Sequence, residues 1–134
     1  MQVVLSDHNC EGQARAIFRT LAHNGYLDLM PLELRLFADV GLAEDINDED
    51  VWRFCQRNDL LLLTGNRKTT DGPHSLEMVI RRDATPHSLP AITISSLRRV
   101  LNDPDYRDRC AQRLAEIVLD IDSYRGLYRV YIPG

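Results

Sequence analysis

The sequence predicts an α/β fold, a doubly wound and mainly parallel sheet of about five strands flanked by helices, spanning residues 1–134 as one domain. Three observations predict it. Leu60 to Leu63 is an unbroken apolar run ending in Thr64, and a strand without polar alternation is one covered on both faces, as in a parallel sheet. Apolar residues at helical period alternate with short strand-like runs along the whole chain. There is no internal repeat, low-complexity segment or interdomain linker, and 134 residues (15.4 kDa) is one domain's length with room for a core.

Taken in order, Gln2 to Ser6 is a short apolar strand that ends in the polar Asp7, His8 and Asn9. Cys10, Ala14, Ile17, Phe18 and Leu21 recur at helical spacing, so a helix is expected from Cys10 to His23, closed by Asn24 and Gly25. Residues 26–31 carry no clear pattern. Leu32, Leu34 and Leu36 alternate with Glu33 and Arg35 as a strand with one buried face, and 38–46 reads as a loop with Gly41 and three acids. Asn47 or Asp48 caps a short helix whose apolar face is Val51, Trp52, Phe54 and Cys55. Asn58 and Asp59 break it before the Leu60–Thr64 strand.

A polar loop with Asp71, Gly72 and Pro73 follows, then a helix over Ser75 to Arg82 with Leu76, Val79 and Ile80 inward. Pro86 and Pro90 bracket a loop before a strand over Ala91 to Ser95, and a one-turn helix starts at Ser95 or Ser96. Asp103 followed by Pro104 is a strong helix start, because Asp caps free amides and proline at the first helical position gives up no hydrogen bond. Cys110, Leu114, Ile117, Val118 and Ile121 stripe that helix to Asp122, and Leu127 to Ile132 is the last strand.

Composition narrows the function classes. The chain is 44% hydrophobic and 27% charged, and no stretch approaches the roughly 18 apolar residues of a membrane span. The opening MQVVLSDHN lacks a basic segment and a long apolar run, so a cytoplasmic chain without a signal peptide is expected. Cys10, Cys55 and Cys110 are odd in number, widely spaced and set among apolar residues, the pattern of small core residues in a reducing compartment. His8, His23, His74 and His87 lack the paired spacing of a zinc site. The net charge of −4 divides into −6 over residues 1–66 and +2 over 67–134, and an acidic first half argues against general nucleic-acid affinity.

Open α/β sheets bind ligands at the carboxyl ends of their strands. The turn after the first strand, Asp7-His8-Asn9-Cys10-Glu11-Gly12, lacks a dinucleotide fingerprint, and Lys68, the one lysine, has no P-loop before it. What remains is carboxylates. Asp7 follows the first strand and Asp48 opens the helix leading into Leu60–Thr64, so parallel topology brings both to one edge with Asn66. Oxygen ligands suit Mg²⁺ or Mn²⁺, for which one or two carboxylates with water and substrate phosphate suffice. The plain readings stand beside this one: Asp7 caps the first helix, Asp48 is an N-cap, Asn9 orders a turn, and Thr64 and Asn66 satisfy loop backbone. Arg67 and Lys68 follow at the same edge, with Arg81, Arg82, Arg98 and Arg99 as further candidates for a phosphate path or as solvated charges.

At LSDHN, GLAEDINDEDVW and LLLTGNRK, three separated pieces in order over residues 3–68, the chain resembles the PIN-like family, specifically short bacterial PIN-like proteins related to toxin nucleases. The resemblance implies a PIN fold and a Mg²⁺- or Mn²⁺-dependent ribonuclease acting on single-stranded RNA, with Asp7 and Asp48 matching the first two acids and holding the cation. It also implies a possible antitoxin-like protein partner and homodimer. The sequence departs from the pattern where Gly65 and Asn66 stand in place of a third acid, where Lys68 stands near a further one, and where His8 replaces a glutamate. Arg67 and Lys68 beside the site weaken its pull on a cation; Asp71 or Glu77 is the candidate to restore an acid. The alternative is a degenerate, non-cleaving PIN-like module that binds RNA or a protein.

Overall fold

The structure, a computed structural model, describes residues 1–66, 72 and 74–134. Among these residues five strands, β1 (Gln2–Ser6), β2 (Leu32–Arg35), β3 (Leu60–Thr64), β4 (Ala91–Ile94) and β5 (Arg129–Ile132), form one sheet in the order β2-β1-β3-β4-β5. Every pairing is parallel, with Val3 level with Leu60, Leu63 with Ile92, and Ala91 with Arg129. The doubly wound class expected from the unbroken Leu60–Leu63 run is therefore the one observed.

Among the described residues seven α-helices cover the sheet: α1 (Glu11–His23), α2 (Tyr26–Leu29), α3 (Phe37–Val40), α4 (Asp48–Arg57), α5 (Leu76–Asp83), α6 (Leu97–Asn102) and α7 (Pro104–Leu119). Strand alternation divides the core in two. Val4, Leu61, Leu63, Ile92, Ile94, Val130 and Ile132 meet Ala14, Ile17 and Leu21 of α1 and Cys110, Leu114 and Ile117 of α7. Leu5, Leu60, Leu62 and Ala91 face the other way, onto Val51, Trp52 and Cys55 of α4 and Leu76, Val79 and Ile80 of α5. Trp52 is a core residue, as its place on the apolar stripe predicts, and all three cysteines are buried. Burial pushes each thiol up to about 12, so none is a thiolate near neutral pH.

The helix starts follow the caps read from the sequence. The Asn47 side chain accepts from the Asp50 amide (2.8 Å) and that of Asp103 from the Tyr106 amide (3.2 Å), with Pro104 opening α7. The structure adds to the sequence reading at three places. Residues 26–31, left unassigned, contain α2, entered through Gly25 at φ 81°. The loop expected over 38–46 begins as α3, because the Asp39 carboxylate accepts the Leu36 amide (2.8 Å) and Gly41, at φ 76°, ends the turn. Of the alternating leucines in 32–36 only Leu32 is buried, while Leu34 is partly so, since β2 is an edge strand with one neighbour. No helix among the described residues is long and apolar enough to cross a membrane.

Candidate functional site

The order β2-β1-β3 means that the chain leaves β1 toward one side of the sheet and leaves β3 toward the other. The crevice between those diverging ends is the topological switch point where open α/β sheets bind ligands. Asp7 and Asn66 stand at its two lips. The Asp7 amide still bonds the Leu63 carbonyl (2.8 Å), which extends the β1–β3 ladder one residue past β1 and fixes where the Asp7 side chain leaves the sheet.

Asp48 arrives from above. Helix α4 has 10 residues and spans about 15 Å, close to the roughly 17 Å of the five-residue β3 that follows it, and the two run in opposite directions. The turn at Asn58 and Asp59, where Asp59 takes a left-handed φ of 54°, brings the end of α4 to the start of β3 and so places the start of α4 at the carboxyl edge. Helix α5 is placed likewise ahead of β4, which brings Leu76 and Glu77 to the same edge.

These elements meet in one hydrogen-bonded cluster. Thr64 Oγ1 donates to Asp7 Oδ2 (2.8 Å) and accepts the Asn66 amide (3.0 Å). Asn66 Nδ2 donates to Asp48 Oδ2 (3.1 Å), as does the Leu76 main-chain amide (3.3 Å). A carboxylate only accepts, so the nitrogen of the Asn66 amide must face Asp48. Asn66 thus orients Asp48 through its amide nitrogen. The plain capping readings also change: Asp7 makes no capping bond to the turn at His8–Cys10, and the cap of α4 is Asn47, which leaves the Asp48 carboxylate to the cluster.

The electrostatics of the described residues set a buried carboxylate beside a second one. Burial, first, and the charge of Asp48 raise the Asp7 carboxyl above its ordinary value against the opposing hydrogen bond from Thr64. No arginine or lysine among the described residues forms an ion pair with Asp7 or Asp48. The donors at hand, two carboxylates and the Thr64 hydroxyl, are hard oxygens suited to Mg²⁺ or Mn²⁺. They fit a cation completed by water and substrate phosphate. They do not make an all-protein cage, for no group of three or more His, Cys, Asp or Glu that could hold a metal occurs among the described residues.

The other candidates are placed as follows. Glu77, buried at the start of α5, is held by Arg81 (2.8 Å) and by Arg129 (3.2 Å), so it is paired elsewhere and adds no third carboxylate to Asp7 and Asp48. Burial alone would raise its carboxyl, and the bonds and charges of the two arginines outweigh that to leave it lowered. His8 stacks on Phe37 (centroids 5.8 Å apart) and lies 3.4 Å from Glu11 and 3.7 Å from Glu44. Arg82 pairs with Glu49 and Asp83, and Arg99 with Asp103. Arg98 lines a cleft of about 310 Å³ with Gly65, Ser95, Ser96 and Leu97, which adjoins the cluster at Gly65. Arg67, Lys68 and Asp71 lie outside the described residues.

Sequence reasoning passed over Arg129. Its guanidinium is buried at the carboxyl edge, with Nη1 donating to the Asn66 carbonyl (2.6 Å) and to Thr93 Oγ1 (2.8 Å). Nε donates to Glu77 Oε1 (3.2 Å); Nη2 lies at the same distance from that oxygen, in ion-pair contact but outside hydrogen-bond geometry. An arginine opening an otherwise apolar strand of a parallel sheet was the available signal, since such a charge stays buried only when paired. Comparison with known proteins finds no matching family model, no matching curated protein and no matching solved structure, so it is the residues and geometry above that carry the functional reading.

Proposed function

We propose that this protein is a Mg²⁺- or Mn²⁺-dependent ribonuclease of the PIN-like type, with Asp7 and Asp48 as the cation-holding pair. One observation carries the reading: two carboxylates converge at the switch point of a parallel sheet, coupled closely enough for Asp48 to raise Asp7, and without an arginine or lysine ion-pair partner among the described residues. A divalent cation held there supplies Lewis-acid activation of a phosphodiester. Thr64 keeps Asp7 oriented and favours its ionised form, while Asn66 and the Leu76 amide orient Asp48. Single-stranded RNA enters along the cleft at Gly65, where Arg98 meets a backbone phosphate, with Arg67 and Lys68 as further phosphate contacts. An antitoxin-like partner, a homodimer and a cytoplasmic location belong to the same reading.

The test is cleavage of a single-stranded RNA oligonucleotide in Mn²⁺. Activity should fall by at least about a hundredfold in Asp7→Asn and in Asp48→Asn, each of which removes a charge from the site. Cleavage that survives either change, or that proceeds in EDTA, overturns the assignment.

A second reading is favoured by a specific observation: Asp48 Oδ2 already accepts two hydrogen bonds, and Arg129 engages Glu77, the buried acid nearest the pair along the chain. On that reading the cluster is a self-satisfied scaffold for a non-cleaving module that binds RNA or a protein. Calorimetry separates the two, since the scaffold binds no Mn²⁺ and keeps its partner when Asp7 and Asp48 are both changed to Asn.

A further inference from the structure

We propose that Arg129 is a positioning residue for the carboxylate pair, a clamp by which the last strand holds both hydrogen bonds that orient Asp48. The proposal rests on the metal-site reading for its functional meaning. Its geometry stands independently.

The two donors to Asp48 Oδ2 come from segments far apart in sequence: Asn66 Nδ2, just past β3, and the Leu76 amide, at the start of α5. Arg129 holds each segment within one residue of its donor. Nη1 takes the carbonyl of Asn66 itself, and the opposite side of the guanidinium takes the carboxylate of Glu77, the residue after Leu76. Thr93 Oγ1 fixes the guanidinium between them.

The register explains why this position can do so. Arg129 is level with Ala91, two residues before Thr93, which is about 6.6 Å along the strand, and a long side chain leaning along β5 covers that distance to the carboxyl edge. Two branches of a planar fork are required, because one contact is an acid and the other a carbonyl. A lysine offers one ammonium on a flexible stem and would serve one of them well. The Arg129 side chain is 7% exposed and its guanidinium is taken up by Asn66, Thr93 and Glu77. It acts through Asn66 and Leu76.

The experiment uses the full chain and two readouts. Calorimetric titration with Mn²⁺ should show about tenfold weaker binding in Arg129→Met, the usual scale for losing a group that orients a metal ligand, with Arg129→Lys between it and wild type. In an Asn66→Ala background the same substitution should cost less, because the donor through which Arg129 acts is gone; an equal cost there overturns action through Asn66. Amide exchange by NMR should show the Asn66 and Leu76 amides exchanging about tenfold faster in Arg129→Met, while Val4 and Leu61 in the centre of the sheet keep their protection. Unchanged Mn²⁺ affinity together with unchanged exchange overturns the clamp. If wild type binds no Mn²⁺, the metal-site reading falls and the exchange result alone decides on the clamp. Should Arg129→Met fail to fold, Thr93→Val removes one of the acceptors of Nη1 and is read by the same exchange measurement, with unchanged protection again counting against the proposal.

Discussion

Glu77 shares its carboxylate between two arginines that differ chiefly in burial, which makes it a sensitive test of the electrostatics at the sheet edge. Arg129 is 7% exposed and Arg81 60%, while Glu77 itself is 10% exposed. Glu77→Gln keeps the shape and one acceptor but leaves the Arg129 guanidinium without a counter-charge. Removing one partner of a buried pair costs about 3–5 kcal/mol, and the isosteric change belongs at about 3 kcal/mol. Arg81→Gln removes only an exposed i,i+4 partner, at about 0.3–0.5 kcal/mol. With an m-value of about 2 kcal/mol/M, urea unfolding should show the midpoint falling by about 1.5 M for Glu77→Gln and about 0.2 M for Arg81→Gln. The pH dependence provides a second check. The folded state lowers the Glu77 carboxyl below its ordinary 4.5, so its contribution is complete above that value and is lost as pH falls through the lower folded value. The gap between wild type and Glu77→Gln should therefore narrow in acid. A loss below about 1 kcal/mol at pH 7, or equal losses in the two variants, would refute the claim that the Arg129 pair is electrostatically buried.

Asp7 runs with the opposite sign. Its folded pKa is raised, so its relative stability is complete below the unfolded value of 3.8 and is lost as pH rises through the folded value. In EDTA, Asp7→Asn should match wild type near pH 3 and melt at a higher temperature at pH 7; a variant that melts lower at pH 7 would show that Asp7 is not strained by burial and by Asp48. At Gly65 a Cβ would lie 2.6 Å from Leu97 Cδ1 and 2.8 Å from Cγ, so Gly65→Ala should cost about 1–3 kcal/mol in urea unfolding. Adding Leu97→Ala should recover part of that cost, and a double variant that is simply additive would mean the contact is not the cause.

The strands and the main helices were legible because periodicity and caps are local. The run LLLLT has no wet face, Asn47 and Asp103 sit where their side chains close helix starts, and Pro104 can stand only at such a start. The short helices α2 and α3 were not legible. Four residues carry too little periodicity to register, and their ends are set by Gly25 and Gly41 in left-handed conformation. Of the site, Asp7, Asp48 and Asn66 were singled out by counting polar residues at strand and helix ends, but the direction of the Asn66 amide was not legible. That direction depends on which neighbour it meets, and the neighbour is 18 residues away.

The sequence by itself determined the class of the fold, the faces of the helices and the presence of carboxylates at the carboxyl edge, since each follows from residue type and spacing along the chain. Only the tertiary structure decided the charge balance of that edge. Whether an acid is a free ligand or half of an ion pair depends on distances across the sheet. Glu77 and Arg129 are 52 residues apart and meet only when α5 and β5 are both in place, whereas Asp7 and Asp48 are joined to each other through Thr64 and Asn66.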